Sequence, residues 1–128
     1  MELFLRARDA VKYSYSPYSK FKVGCAIELN DGSFICGTNI ENVSYPLSMC
    51  AERVAIYKAY SDGYDMSSIK AMAIYADTID YISPCGGCRQ VMLELIPSKC
   101  KIYLLNNKLE SKEVTIDMLM PIGFNSLE

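Results

Sequence analysis

Cys85-Gly86-Gly87-Cys88 sets two thiols two residues apart, directly ahead of an apolar, helix-like run. That gap lets both sulfurs reach one tetrahedral ion at about 2.3 Å, and glycines ease the tight turn. The same four residues also suit a redox pair. Pro84 before the first thiol and a helix after the second fit either role, because a helix N-terminus lowers a thiol pKa whether the thiolate serves a metal or a disulfide. On this pair alone both readings stand.

Cys50-Ala51-Glu52, upstream, also opens a helical segment. Cys-x-Glu followed downstream by Pro-Cys-x-x-Cys matches the zinc-deaminase arrangement, whose first ligand is a histidine or a third cysteine. Three protein ligands, Cys50, Cys85 and Cys88, leave the fourth tetrahedral position to water, as in catalytic rather than structural zinc sites. Glu52, two residues beyond a ligand, can reach that water without binding the metal and serve as general acid and base. Three thiolates and Zn²⁺ sum to a negative charge that needs compensation. The two helix N-termini supply part of it, and Arg53 and Arg89, each adjacent in sequence to a site residue, are candidates to donate charge-assisted hydrogen bonds to sulfur.

The rival reading is a non-catalytic structural zinc or redox protein. It leaves Glu52 without a task and requires a fourth ligand from Cys25, Cys36 or Cys100, the remaining three of six cysteines. The chain has no histidine, which excludes Ser-His and Cys-His catalysis and any imidazole metal site.

The elements that must position these residues are legible from periodicity. Leu3 to about Tyr13 repeats apolar residues at helical spacing. Two β-rich runs flank Asn30-Asp31-Gly32, a hairpin signal. The segment from Cys50 to Gly63 reads as a helix of about four turns. Residues 69–77 form a continuous apolar run expected as a strand buried on both faces. Residues 89–96, closed by Pro97, read as a short helix, residues 100–106 as a further strand, and residues 115–121 as a last helical turn or two. Strands alternating with helices predict an α/β fold: a three-layer α/β/α sandwich on a central mixed sheet of about five strands, with residues 1–128 forming a single domain.

Bulk properties bound the function. The 128 residues are 51% hydrophobic, enough for one core and too few for two typical domains. A net charge of −2 provides no broad basic surface for phosphates, so a small, weakly charged ligand is expected rather than nucleic acid. No apolar run reaches the roughly 18 residues that cross a bilayer, and the first residues carry charges where a signal peptide needs apolar ones. A cytoplasmic protein with no membrane association is the expectation, with free or metal-bound rather than disulfide-linked cysteines.

Over nearly its whole length the sequence resembles the small homotetrameric zinc-dependent cytidine deaminases of pyrimidine salvage. The resemblance is carried by SPYSKFKVGCAIE (residues 16–28), GTNIENVSYPLSMCAERVAIYKAYSDG (37–63), SPCGGCRQVMLEL (83–95) and LMPIGF (119–124). It implies hydrolytic deamination of cytidine and deoxycytidine, with one Zn²⁺ per subunit on Cys50, Cys85 and Cys88 and with Glu52 moving protons. It further implies that Phe21 packs on the pyrimidine, that Asn39 and Glu41 hold the ribose hydroxyls, and that the backbone of Ala51 and Ser83 reads the edge of the base. Tyr45 and Phe124 are expected to reach active sites of neighbouring subunits. Residue type alone would instead place Phe21 in the core and let Phe124 close the core of its own chain. A deaminase of a modified nucleoside, of the blasticidin type, is the nearest alternative, and the Asn39/Glu41 pair speaks against it. Cys25 stands where the family more often has a small residue such as alanine, and is expected to pack as a small hydrophobe.

Overall fold

The computed structural model describes residues 1–127; Glu128, to which the sequence assigns no role, lies outside them. Its elements follow in the order α1 (Glu2–Ala10), β1 (Val23–Leu29), β2 (Phe34–Thr38), α2 (Ala51–Ser61), β3 (Ile69–Ala76), α3 (Gly86–Leu95), β4 (Lys101–Leu105), β5 (Ser111–Val114) and α4 (Ile116–Leu119). The strands form one five-stranded sheet ordered β2-β1-β3-β4-β5, in which only β3 and β4 run parallel. The mixed sheet is thus the expected one, and α3 is the crossover that a parallel pair requires.

Alternation along the strands divides the core into two layers. Cys25 and Ile27 of β1, Met72 and Ile74 of β3, and Ile102 and Leu104 of β4 face α2, α3 and α4. Ala26, Ala73, Tyr75 and Leu105 face Leu3 and Ala7 of α1. Both faces of β3 are therefore covered, which is why its sequence is an unbroken apolar run. Cys25 is fully buried and packs as a small hydrophobe.

The hairpin turns where Asp31-Gly32 predicts, with Gly32 at φ +88°, a conformation that disfavours any side chain. One strand escapes the periodic reading. Three of the four residues of β5 are exposed, so it carries almost no apolar signal. It exists because Asn106 turns the chain: its Oδ1 accepts from the N–H groups of Lys108 and Glu110 at 3.0 Å each, returning the backbone to pair with β4. Among the described residues, no helix is long and apolar enough to cross a membrane.

Two features bring α2 to the site. A side-chain Cβ at Gly37 would lie 2.6 Å from the Ala55 nitrogen and 2.8 Å from the Ala51 oxygen, so only glycine lets the first turns of α2 lie this close to β2. Beyond β2, Ile40 pairs with Met49 through two backbone hydrogen bonds of 2.9 and 2.8 Å. This delivers Cys50 to the head of α2 beside Asn39 and Glu41. At its other end α2 is tied to α3 by the Tyr60 hydroxyl, which donates to the Leu95 carbonyl at 2.5 Å.

Candidate active site

Cys50 and Cys85 occupy the cap positions of α2 and α3, so both helix N-termini point at the same three sulfurs. The sulfur of Cys85 lies 3.8 Å from that of Cys50 and 3.5 Å from that of Cys88. A tetrahedron with metal–sulfur bonds of about 2.3 Å has edges of about 3.8 Å, so this spacing suits one zinc ion. All three sulfurs lie within 4.8 Å of one another, and Cys50, Cys85 and Cys88 are the one such ligand cluster among the described residues. Cys25 and Cys100 sit in the core and Cys36 packs toward α1, so none completes a four-sulfur site.

Hydrogen bonding from Cys88 first, aided by Arg53 and Cys85 and opposed by burial, brings the Cys50 thiol down to about 5. The Cys88 thiol is pushed up, chiefly by that same hydrogen bond and then by burial. Metal binding at such a cluster requires the sulfurs to be deprotonated. The Cys88 N–H also points at the Cys85 sulfur, at 3.5 Å.

The two arginines behave differently. Arg53 Nη2 lies 3.4 Å from the Cys50 sulfur, in keeping with charge compensation. Its Nε is buried and, among the described residues, has no hydrogen-bond partner. Arg89, the other candidate, touches no sulfur. Its guanidinium donates to the carbonyls of Pro84 and Leu119, at 2.8 Å each, and to the Ser83 hydroxyl at 2.5 Å. The helix turns its side chain away from the cluster, toward the backbone of the preceding loop and α4.

Glu52 is only 5% exposed. Burial pushes its carboxyl up to about 7; the negative charge of Cys50 adds to this, against a local backbone hydrogen bond. A carboxyl poised near neutrality can both accept and return a proton. It faces a cavity of about 420 Å³, whose lining includes Cys50, Cys85, Ala51, Ser83, Phe21, Asn39, Glu41 and Tyr45. The cavity lining thus brings Phe21, Asn39, Glu41, Cys50, Ala51, Glu52, Ser83 and Cys85 together, with the buried Cys88 joined to them through its sulfur and Arg53 set against Cys50; Tyr45, expected at a neighbour's site, lines its own chain's cavity, and Phe124 lies outside the lining.

Phe21 is 45% exposed at this cavity and is not a core residue, as its type alone would suggest. Asn39 and Glu41 hold the loop that carries it. Asn39 Oδ1 accepts from the Val23 N–H at 2.9 Å and the Ser14 hydroxyl at 2.7 Å, while its Nδ2 donates to the Phe21 carbonyl at 2.7 Å. Glu41 accepts from the N–H groups of Tyr18 and Ser19, at 3.0 and 3.1 Å, and from the Ser19 hydroxyl. The Ser19 hydroxyl is the leading reason that the Glu41 carboxyl lies below its ordinary range. Ser19 is a site residue that sequence reasoning missed, although it lies within the SPYSKF stretch. The Phe124 ring is 66% exposed and so does not close its own core; its carbonyl accepts from Gln90 Nε2 at 2.9 Å.

A larger recess of about 680 Å³ lies between α1, β2 and α2. Of its charged residues, Arg6 pairs with Glu2, Asp9 with Arg8, Lys58 donates to the Cys36 carbonyl, and Lys12 lies over the Tyr13 ring. Neither Glu52 nor any of the three clustered cysteines lines this recess, whereas Cys50, Glu52 and Cys85 line the smaller cavity.

Residues 1–104 match the family model described as the cytidine and deoxycytidylate deaminase zinc-binding region. The chain is 47% identical over 124 residues to a cytidine deaminase of Halalkalibacterium halodurans, covering 97% of this chain and 92% of that one. More distantly, it is 32% identical over 130 aligned positions to a blasticidin-S deaminase of Bacillus cereus, covering 97% and 91%. Its fold superposes on the crystal structure of a cytidine deaminase from Burkholderia pseudomallei with a TM-score of 0.92, at 40% identity and with 96% and 97% of the two chains covered.

Proposed function

This chain belongs to the cytidine and deoxycytidylate deaminase zinc-binding family, and from that premise we propose that it hydrolyses cytidine and deoxycytidine to uridine and deoxyuridine with release of ammonia. The observation that carries this reading is the burial of Glu52 beside three sulfurs at the spacing of one tetrahedral ion, in a cavity whose opposite wall presents Phe21, Asn39 and Glu41.

Cys50, Cys85 and Cys88 would hold one zinc ion per subunit, which would supply the Lewis acidity that makes a water nucleophilic at neutral pH. Glu52 removes a proton from that water and passes it to N3 of the pyrimidine as C4 is attacked. Glu52 then conveys the second water proton to the amino group, which leaves as ammonia while the C4 oxygen stays as the new carbonyl. One carboxyl alternating between base and acid accounts for the absence of histidine. Arg53 offsets the negative charge of the sulfurs.

Around the reacting atoms, Phe21 packs on the base, the backbone of Ala51 and Ser83 reads its edge, and Asn39 and Glu41 meet the ribose hydroxyls. Residues 1–128 act as one domain in a cytoplasmic homotetramer, where Phe124 of one subunit completes a neighbour's site. Tyr45 lines its own chain's cavity and, at 59% exposed, is also free to meet a neighbour. Nucleic acid and membranes are not partners, in keeping with the net charge of −2.

Similarity to a blasticidin-S deaminase supports a second reading, deamination of a modified nucleoside. Ammonia release from cytidine, deoxycytidine and blasticidin S separates the two. Turnover of the first pair, followed by the ultraviolet change from cytidine to uridine, is the expected result; turnover of blasticidin S alone would replace the proposal with the second reading.

A further inference from the structure

Arg89 begins the first full turn of α3 beyond Cys88, is half-buried, and among the described residues pairs with no carboxylate. Three of its nitrogens are nevertheless occupied. Nε holds the Pro84 carbonyl, Nη2 the Ser83 hydroxyl and Nη1 the Leu119 carbonyl. Pro84 is buried, and its carbonyl immediately precedes Cys85. Leu119 is the last residue of α4, where helical carbonyls have no partner within the helix.

We infer that Arg89 is a positioning residue: its guanidinium staples the Ser83–Cys85 loop to the C-terminal end of α4, fixing the Cys85 sulfur and the Ser83 backbone together. This rests on the zinc and base-reading roles proposed above. The loop needs such a brace. It lies between β3 and α3, and residues 77–85 form neither strand nor helix. Gln90, the next residue, holds the Phe124 carbonyl. One turn of α3 therefore presents a sulfur, a clamp on the loop and α4, and an anchor for the tail. Only a planar fork reaches three acceptors in these directions. The compact ammonium of lysine keeps the charge but not the geometry.

Lysine therefore separates geometry from charge. In Arg89→Lys and Arg89→Gln alike, zinc should pass to a chromogenic chelator at least about tenfold faster than from the parent protein, as expected for losing charge-assisted hydrogen bonds. KM for cytidine should rise by at least about tenfold while kcat falls by less. In zinc-free protein, alkylation of Cys85, mapped by mass spectrometry, should accelerate by at least about threefold as the loop opens locally. The inference is overturned if Arg89→Lys matches the parent in all three while Arg89→Gln does not, which would make Arg89 a mere charge, or if both variants match the parent. Should neither Arg89 variant fold, Ser83→Ala removes one arm alone; faster Cys85 alkylation supports the staple and an unchanged rate overturns it. Zinc content and turnover of the parent protein report separately on the underlying functional reading, and the alkylation rates need neither.

Discussion

The two walls of the cavity are built by opposite means. The sulfur wall is assembled from two helix starts, each of which places its cysteines and, in α2, Glu52 within four positions of one another. The opposite wall is a loop without regular structure, held by side chains about twenty residues away: Asn39 grips the Phe21 carbonyl and Val23 N–H, and Glu41 grips Tyr18 and Ser19. Local spacing is preserved in any folded form of the chain, whereas a loop held by remote hydrogen bonds is only as fixed as those bonds. Under the proposed roles, chemistry falls to the helix-start wall, and substrate contact to the wall that can be tuned one hydrogen bond at a time.

If this division holds, damage to the sulfur wall abolishes turnover and damage to the loop wall raises KM. The largest effect belongs to the ligands. Cys50→Ala, Cys85→Ala and Cys88→Ala should each lose stoichiometric zinc and all measurable deamination, while Cys36→Ala keeps both; metal analysis beside the cytidine assay checks this. Next comes Glu52→Gln, which should retain zinc yet lower kcat by about 10²- to 10⁴-fold. A variant with near-normal kcat would remove Glu52 from proton transfer and leave the sulfur wall without its central function.

On the loop wall, Asn39→Ala strips partners from two backbone groups and a hydroxyl at once. KM should rise by about 10- to 100-fold, with a smaller change in kcat, in steady-state kinetics. Ser19→Ala removes one hydroxyl and should raise KM by no more than about tenfold.

Acid gives the smallest and most specific effect. The Glu41 carboxyl is held below its ordinary value of 4.5, first by the Ser19 hydroxyl and also by the Ser19 and Tyr18 N–H groups. A depressed acid keeps its brace fully above pH 4.5 and loses it as pH falls through the lowered value. The acid-side rise in KM should therefore begin below the normal carboxylate range in the parent protein and at higher pH in Ser19→Ala. Coincident onsets in the two proteins would show that the loop does not depend on this contact.

The same contrast explains what was legible in the sequence. Cys50, Glu52, Cys85 and Cys88 were accessible because helix-start spacing is a local property, and β1 through β4 because burial on one or both faces leaves a pattern. Phe21 was not: an aromatic residue beside a strand looks like core, and only the resemblance placed it at the cavity, where it is 45% exposed. Strand β5 was hidden because a mostly exposed edge strand has no apolar period. The partners of Arg89 were not legible because adjacency to a ligand in sequence says nothing about where a helix turns the side chain, and its acceptors include a carbonyl thirty residues away. Ser19 left no signal beyond its place in a motif, since its partner Glu41 is twenty-two residues distant.

X-ray absorption at the zinc edge of the purified protein tests the central claim most directly. Three sulfur neighbours at about 2.3 Å and one oxygen neighbour at about 2.0 Å are the predicted shell. Four sulfurs, or no zinc in protein whose thiols are free and folded as described, would contradict it.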